Sequence, residues 1–122
     1  MADPFLQQQY SAAIAAGQAE SAQVDIGGWS LVGIFVPSNW TTAGLSFQGS
    51  PDGGTTWGEV TSIGGTAIAV GSLTGGTLGY FIALDPAQFR GLRSLKVRSG
   101  SQADPVDQVN AVTLTLLTRA VF

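Results

Sequence analysis

At 122 residues the chain has room for one hydrophobic core and is too short for two that would each stand alone. It has no cysteine and no histidine, its charged residues make up only 11% against 44% hydrophobic, and its net charge is −3. Those numbers exclude disulfides, thiol nucleophiles, cysteine zinc sites and a Ser-His-Asp triad, and they set bulk electrostatics against nucleic acid as a partner. A domain of this size buries roughly two-thirds of the surface of its unfolded chain, so it needs no metal or disulfide staple. The charge content lies well under the roughly 25% of an ordinary soluble domain, which reads as an exterior largely covered by partners; the alternative is a sandwich coated in Thr, Ser and Gly. No apolar run approaches the roughly 20 residues of a membrane span, and the first residues lack the basic region of a secretory signal.

In chain order, Asp3-Pro4 is a helix-start signal, and Phe5 to Ala16 is rich in helix formers up to Gly17. Phe5, Leu6, Tyr10, Ala13 and Ile14 make a short apolar stripe at helical spacing. About three turns of isolated helix are marginal in water, so this segment has to dock on its own body or on a neighbour; an extended arm is an equal alternative. Residues 1–20 are therefore expected as an N-terminal arm or short helix, and 21–122 as a β-sandwich domain.

Strand periodicity follows. Val24 to Ile26 and Trp29 to Val36 are β-branched and aromatic, bounded by glycine pairs and Pro37-Ser38-Asn39. Gly44 to Gly49 alternates, with Leu45 and Phe47 on one face. Thr55 to Val60, Thr66 to Val70 and Thr77 to Leu84 come at short intervals, and Ala87 to Arg93 makes a turn of helix or a corner. Ser94 to Ser99 puts Leu95 and Val97 on one face and Lys96 and Arg98 on the other, and Gly100 to Asn110 is a loop. Ala111 to Arg119 closes the series with Val112, Leu114 and Leu116 inward. About eight short strands with glycine-rich turns and no crossover helices predict an all-β antiparallel sandwich of jelly-roll type.

Ser50-Pro51-Asp52-Gly53-Gly54-Thr55-Thr56-Trp57 resembles the Asp box, S-x-D-x-G-x-T-W, of sialidases and related propeller blades. One copy in a chain this short predicts the turn and not the propeller: Asp52 accepts backbone N–H bonds, Gly54 takes a positive φ, and Trp57 packs back beneath. Trp29, Trp40, Trp57 and Tyr80 are candidates for a sugar-stacking platform, or else core and interface residues. Arg90, Arg93, Lys96 and Arg98 concentrate four of the five basic residues within nine positions. They read as a contact with an acidic face of a partner or symmetry mate, including Asp85, Asp104 or Asp107 of the next subunit, or as charges guarding a strand edge. A carboxylate-pair hydrolase would need a cleft with converging acids. No cofactor or metal site is expected, and neither nucleic acid nor membrane as a partner.

Leu45-Ser46-Phe47-Gln48-Gly49-Ser50-Pro51-Asp52-Gly53, Ala83-Leu84-Asp85-Pro86-Ala87-Gln88-Phe89, Leu95-Lys96-Val97-Arg98-Ser99-Gly100 and Val112-Thr113-Leu114-Thr115-Leu116-Leu117-Thr118-Arg119 together resemble small virion proteins of tailed phages and prophages. The resemblance implies a non-enzymatic structural protein, a decoration or cement protein on the capsid surface, made in the host cytoplasm. Its partners would be the major capsid protein and other copies of itself, as a homotrimer. On this expectation Phe5, Leu6, Tyr10 and Ile14 anchor the arm across a neighbour, and Arg90, Arg93, Lys96 and Arg98 complete the contact. The alternative is a glycan- or receptor-binding module of a phage tail or fibre.

Overall fold

The computed structural model describes residues 7–27, 29–75, 78–89 and 91–120. Among them nine strands form: β1 (Gln7–Ile14), β2 (Val24–Asp25), β3 (Ser30–Val36), β4 (Ala43–Ser50), β5 (Gly58–Glu59), β6 (Ala69–Leu73), β7 (Tyr80–Ala83), β8 (Ser94–Ser99) and β9 (Val112–Arg119). A single 3-10 turn, Pro86–Phe89, makes the expected corner before β8. All pairings are antiparallel. One sheet has the order β1-β9-β3-β7; the other has β2-β8-β4-β5, with β6 also on β4. The chain is thus an all-β antiparallel sandwich whose pairs nest: β1 with β9, β2 with β8, β3 with β7, and β4 with β5 and β6.

One core fills the space between the sheets. β9 contributes Val112, Leu114 and Leu116, β8 Leu95 and Val97, β4 Leu45 and Phe47, and β3 Leu31, Ile34 and Val36. Each set sits at the two-residue spacing that a pleated strand turns to one side, with β3 shifted by a bulge between Leu31 and Gly33. Phe89, delivered by the 3-10 turn, meets Phe47 edge-on with ring centroids 5.1 Å apart and planes at 79°. Gly44 lets β6 approach β4: a Cβ there would stand 2.5 Å from the Val70 carbonyl oxygen, so no other residue fits without moving the strand.

A buried glutamine closes one end of the sandwich. Gln108 donates through Nε2 to the Ser99 hydroxyl (2.8 Å) and the Thr41 carbonyl (3.1 Å), while its Oε1 accepts from the Thr41 N–H (2.7 Å). Its backbone N–H donates to the Gln18 carbonyl, and its own carbonyl accepts from Gly17. The long loop after β8 is therefore tied to two other connections by a residue whose polar atoms are all paired, as burial requires.

The N-terminal segment takes the extended of the two expected forms. Gln7–Ile14 is a strand, not a helix, and it pairs with β9 along its whole length, from Gln7 opposite Arg119 to Ile14 opposite Val112. Tyr10, Ala12 and Ile14 are apolar at a spacing of two as well as near a helical stripe, and the open ladder of β9 decides between the periods. The segment is accordingly part of the sandwich and not an arm separate from a body that begins at residue 21. Asp3, Pro4, Phe5 and Leu6, the rest of the expected helix, lie outside the described residues. Strand extents also differ: of the Thr55 to Val60 run only Gly58–Glu59 is a strand, because the residues before it form a turn, β6 is shifted to Ala69–Leu73, and β7 is confined to Tyr80–Ala83.

Replacing Phe89 by alanine empties the largest side chain from between the corner and β4, and the loss in unfolding free energy is expected at roughly 3–5 kcal/mol. Chemical denaturation of Phe89→Ala against the parent chain measures it; a loss under about 1 kcal/mol would mean that the corner does not carry the core.

Candidate functional site

The two outer faces of the sandwich are built differently. On the five-stranded sheet, the alternation of β4 and β8 turns Ser46, Gln48, Lys96 and Arg98 outward, and each finds a partner within the chain. Arg98 is only 4% exposed; it forms an ion pair with Glu59 of β5, and its Nε donates to the Ser46 hydroxyl at 3.0 Å. Gln48 donates to Glu20, and the Lys96 ammonium lies 4.5 Å from the centroid of the Trp57 ring. The stretch from Ala19 to Ile26 runs along the free edge of β8, with Ser99 donating to Ala19, Ser21 to Val97 and Ile26 to Arg93. Polar groups on this face are thus paired with one another.

The four-stranded sheet shows the opposite. Phe35 and Phe81 face each other across β3 and β7 and are 39% and 68% exposed. Leu117 and Ala83 flank Gly33 on either side, and the Phe81 ring leans over Gly33, where a Cβ would come within 3.5 Å of it. Leu78, just before β7, is 81% exposed. Towards β1 the outward positions are Thr115 and Thr113 on β9 and Gln9, Ser11 and Ala13 on β1. Arg119 is the sole charged residue among the described outward positions of this sheet. β7 also forms its edge, paired among the described residues with β3 alone.

A third feature lies at the Asp-box turn between β4 and β5, which takes the expected form. Asp52 Oδ1 accepts from the Thr56 N–H (2.8 Å), the Thr55 N–H (3.0 Å) and the Ser50 hydroxyl (2.9 Å). Gly54 has φ +117°, and Trp57 Nε1 donates back to its carbonyl. The Thr56 amide and hydroxyl, with Ser50 and Thr55, hold the Asp52 carboxyl down at about 2. Gln23 bridges the turn to the neighbouring strand, donating to the Gly53 carbonyl and to Asp25. Asp25 also accepts from the Ser94 hydroxyl at 2.7 Å, and its carboxyl is held below its usual value by Gln23, Ser94 and the nearby Arg93 guanidinium. Asp25, Asp52 and Arg93 line one cleft of about 380 Å³. A second, of about 570 Å³, is lined by Trp57, Glu59, Gln88 and Leu92; the two share Ser50, Pro51 and Gly91. Sequence distance hid this grouping, since Asp25 and Arg93 lie far from the turn and meet it only through the β2·β8 and β4·β8 pairings. The hydrogen bonds thus hold both carboxyls below their ordinary range.

The residues singled out from the sequence do not come together. Ile14 is 1% exposed and belongs to the chain's own core, and Tyr10 is half-buried against that core. Arg98 is held by Glu59, which removes it from an intermolecular contact, while Lys96 covers Trp57 and Arg93 lines the first cleft. Phe5, Leu6 and Arg90 lie outside the described residues. The sugar platform is not formed either: Trp40 is buried and donates its Nε1 to the Ala43 carbonyl, and Trp57, just before β5, and Tyr80, the first residue of β7, belong to different sheets. The Phe35–Phe81 face escaped notice because both residues fit an ordinary strand pattern; Phe81 beside Tyr80 in a short segment was the available signal.

Two outcomes test this geometry. The folded value of Asp52 is below the ordinary 3.8, so the native chain binds fewer protons than the unfolded one between those values; the stabilisation is complete above 3.8 and is lost as pH falls through about 2. Carboxyl carbon NMR should show Asp52 titrating near 2, and Asp52→Ala should speed amide exchange at Thr55 and Thr56 by about ten-fold. Arg98→Ala leaves Glu59 without its partner and should cost roughly 3–5 kcal/mol in thermal or chemical unfolding, with Arg98→Ala/Glu59→Ala recovering part of it; a double-variant loss equal to the sum of the Arg98→Ala and Glu59→Ala losses would mean that the ion pair adds nothing.

Comparison with known protein families, curated proteins and solved structures finds no match, so the reading of these surfaces rests on their own chemistry.

Proposed function

We propose that this chain is a non-enzymatic structural virion protein, a decoration or cement protein that binds the outer surface of an assembled phage capsid through the outer face of its four-stranded sheet. The observation that carries this reading is the contrast between the two faces. The five-stranded sheet pairs its outward polar groups internally, whereas the other presents Phe35, Phe81 and Leu78 to solvent with Arg119 as the one charge among the described outward positions. An apolar face of this kind beside an open sheet edge gains free energy when another protein covers it. The short-motif resemblance to tailed-phage virion proteins supports the same role, as does the low charge of the whole chain. The nested strand pairing supports reading the sandwich as a jelly roll.

On this reading the partners are the major capsid protein and further copies of the chain, as a trimer on a symmetry axis, and the site of action is the capsid surface after synthesis in the host cytoplasm. Weak contacts repeated by symmetry add up to tight attachment. The contact is the sheet face, in place of the N-terminal anchor and the basic cluster.

Sedimentation of the purified chain with shells assembled from the source virus's major capsid protein tests the proposal. Phe35→Ser/Phe81→Ser should retain the parent's circular dichroism and lower shell binding by at least about ten-fold, since aromatic anchors dominate such interfaces. Undiminished binding by the folded double variant would remove the sheet face as the docking surface, and a parent chain that binds no shell would remove the capsid role.

A further inference from the structure

The two clefts beside the Asp-box turn adjoin at Ser50, Pro51 and Gly91, and we propose that this groove binds a neutral saccharide. This is separate from the docking proposal, because the groove lies on the five-stranded sheet's side of the sandwich. The argument starts from what a sugar presents: vicinal hydroxyls that both donate and accept, and a flatter face of C–H groups. Asp25 and Asp52 supply ionised acceptors, Arg93 supplies donors in a planar fork, and all three line the first cleft. Trp57 lines the second, and the Lys96 that lies over its ring does not. An aromatic wall next to converging acceptors and donors matches a saccharide's alternation of apolar and hydroxylated surface.

Charge narrows the class. Among the described residues the first cleft carries two carboxylates, both held below their ordinary range, against one guanidinium, and the Glu59 of the second is already paired with Arg98. The groove therefore repels uronic or sialic acids and favours uncharged sugars. Its polar groups are also positioned before any ligand arrives. Gln23 and Ser94 hold Asp25, the turn amides hold Asp52, and Gly53 and Gly54 adopt positive φ to make the lip. Little ordering entropy remains to be lost on binding. The first cleft is large enough for one ring and the second adjoins it at Ser50, Pro51 and Gly91, so an oligosaccharide spanning both suits the groove better than a monosaccharide.

Amide NMR of the full chain, titrated with neutral tri- and tetrasaccharides of glucose, galactose, mannose and N-acetylglucosamine, tests this directly. At least one should shift the Gly53, Gly91 and Ser94 amides and the Trp57 indole N–H. Arg93→Ala and Asp25→Ala, each checked for parent-like spectra elsewhere, should weaken that sugar by about ten-fold, the cost of one charged hydrogen-bonding group. Because Asp25 also holds Ser94, Arg93→Ala and the shift map on the parent chain decide the matter if Asp25→Ala does not fold. Silence across the panel at millimolar sugar, shifts that map elsewhere, a response to trigalacturonate alone, or a response to calcium chloride alone would each overturn the proposal, the last by making the groove a cation site.

Discussion

The fold depends on β9 being paired on both sides. As the last strand it lies between the first, β1, and the third, β3, so the four-stranded sheet exists only once the two ends of the chain have met. Its alternation of Val112, Leu114 and Leu116 inward with Thr113 and Thr115 outward sets which face of that sheet is buried, and a slip of one residue would turn the apolar set to solvent. Such pairing over nearly the full chain length makes closure entropy the main opposing term, and the core shared by both sheets offsets it.

From that arrangement follows the unequal treatment of the two exteriors. Nested pairing leaves β7 on an edge and brings Phe81 opposite Phe35, so two rings are exposed on a surface with little charge around them. On the other sheet the same pairing lines Arg98 up with Ser46 and places Glu59 within reach, which converts a potential basic patch into a closed set of internal contacts. The composition is sparse in charge, and the fold uses most of the basic residues it describes at home. That leaves one outer face of mutually paired polar groups and one with exposed aromatic rings.

The Asp-box turn shows how local chemistry and tertiary placement combine. Ser50, Asp52 and Gly54 satisfy the turn's backbone donors by themselves, and the same hydrogen bonds keep the Asp52 carboxyl ionised. Only the neighbouring strands bring Asp25, Ser94 and Arg93 to the lip and make a groove out of a turn.

The amino-acid pattern alone determined the all-β class, the inward sets on β4, β8 and β9, the corner at Pro86–Phe89 and the Asp-box turn, because each rests on contacts within a few residues or on a spacing of two. It also carried the resemblance that frames the proposed role. Tertiary structure alone decided that Gln7–Ile14 is a strand, since its residues fit both periods and the unpaired edge of β9 made the choice. It likewise decided that Ile14 enters the core and Arg98 pairs with Glu59, that Phe35 meets Phe81, and that Asp25 and Arg93 reach the turn. Those outcomes depend on which strands become neighbours across tens of residues, and hydrophobic periodicity says which side of a strand is buried without saying what lies beside it.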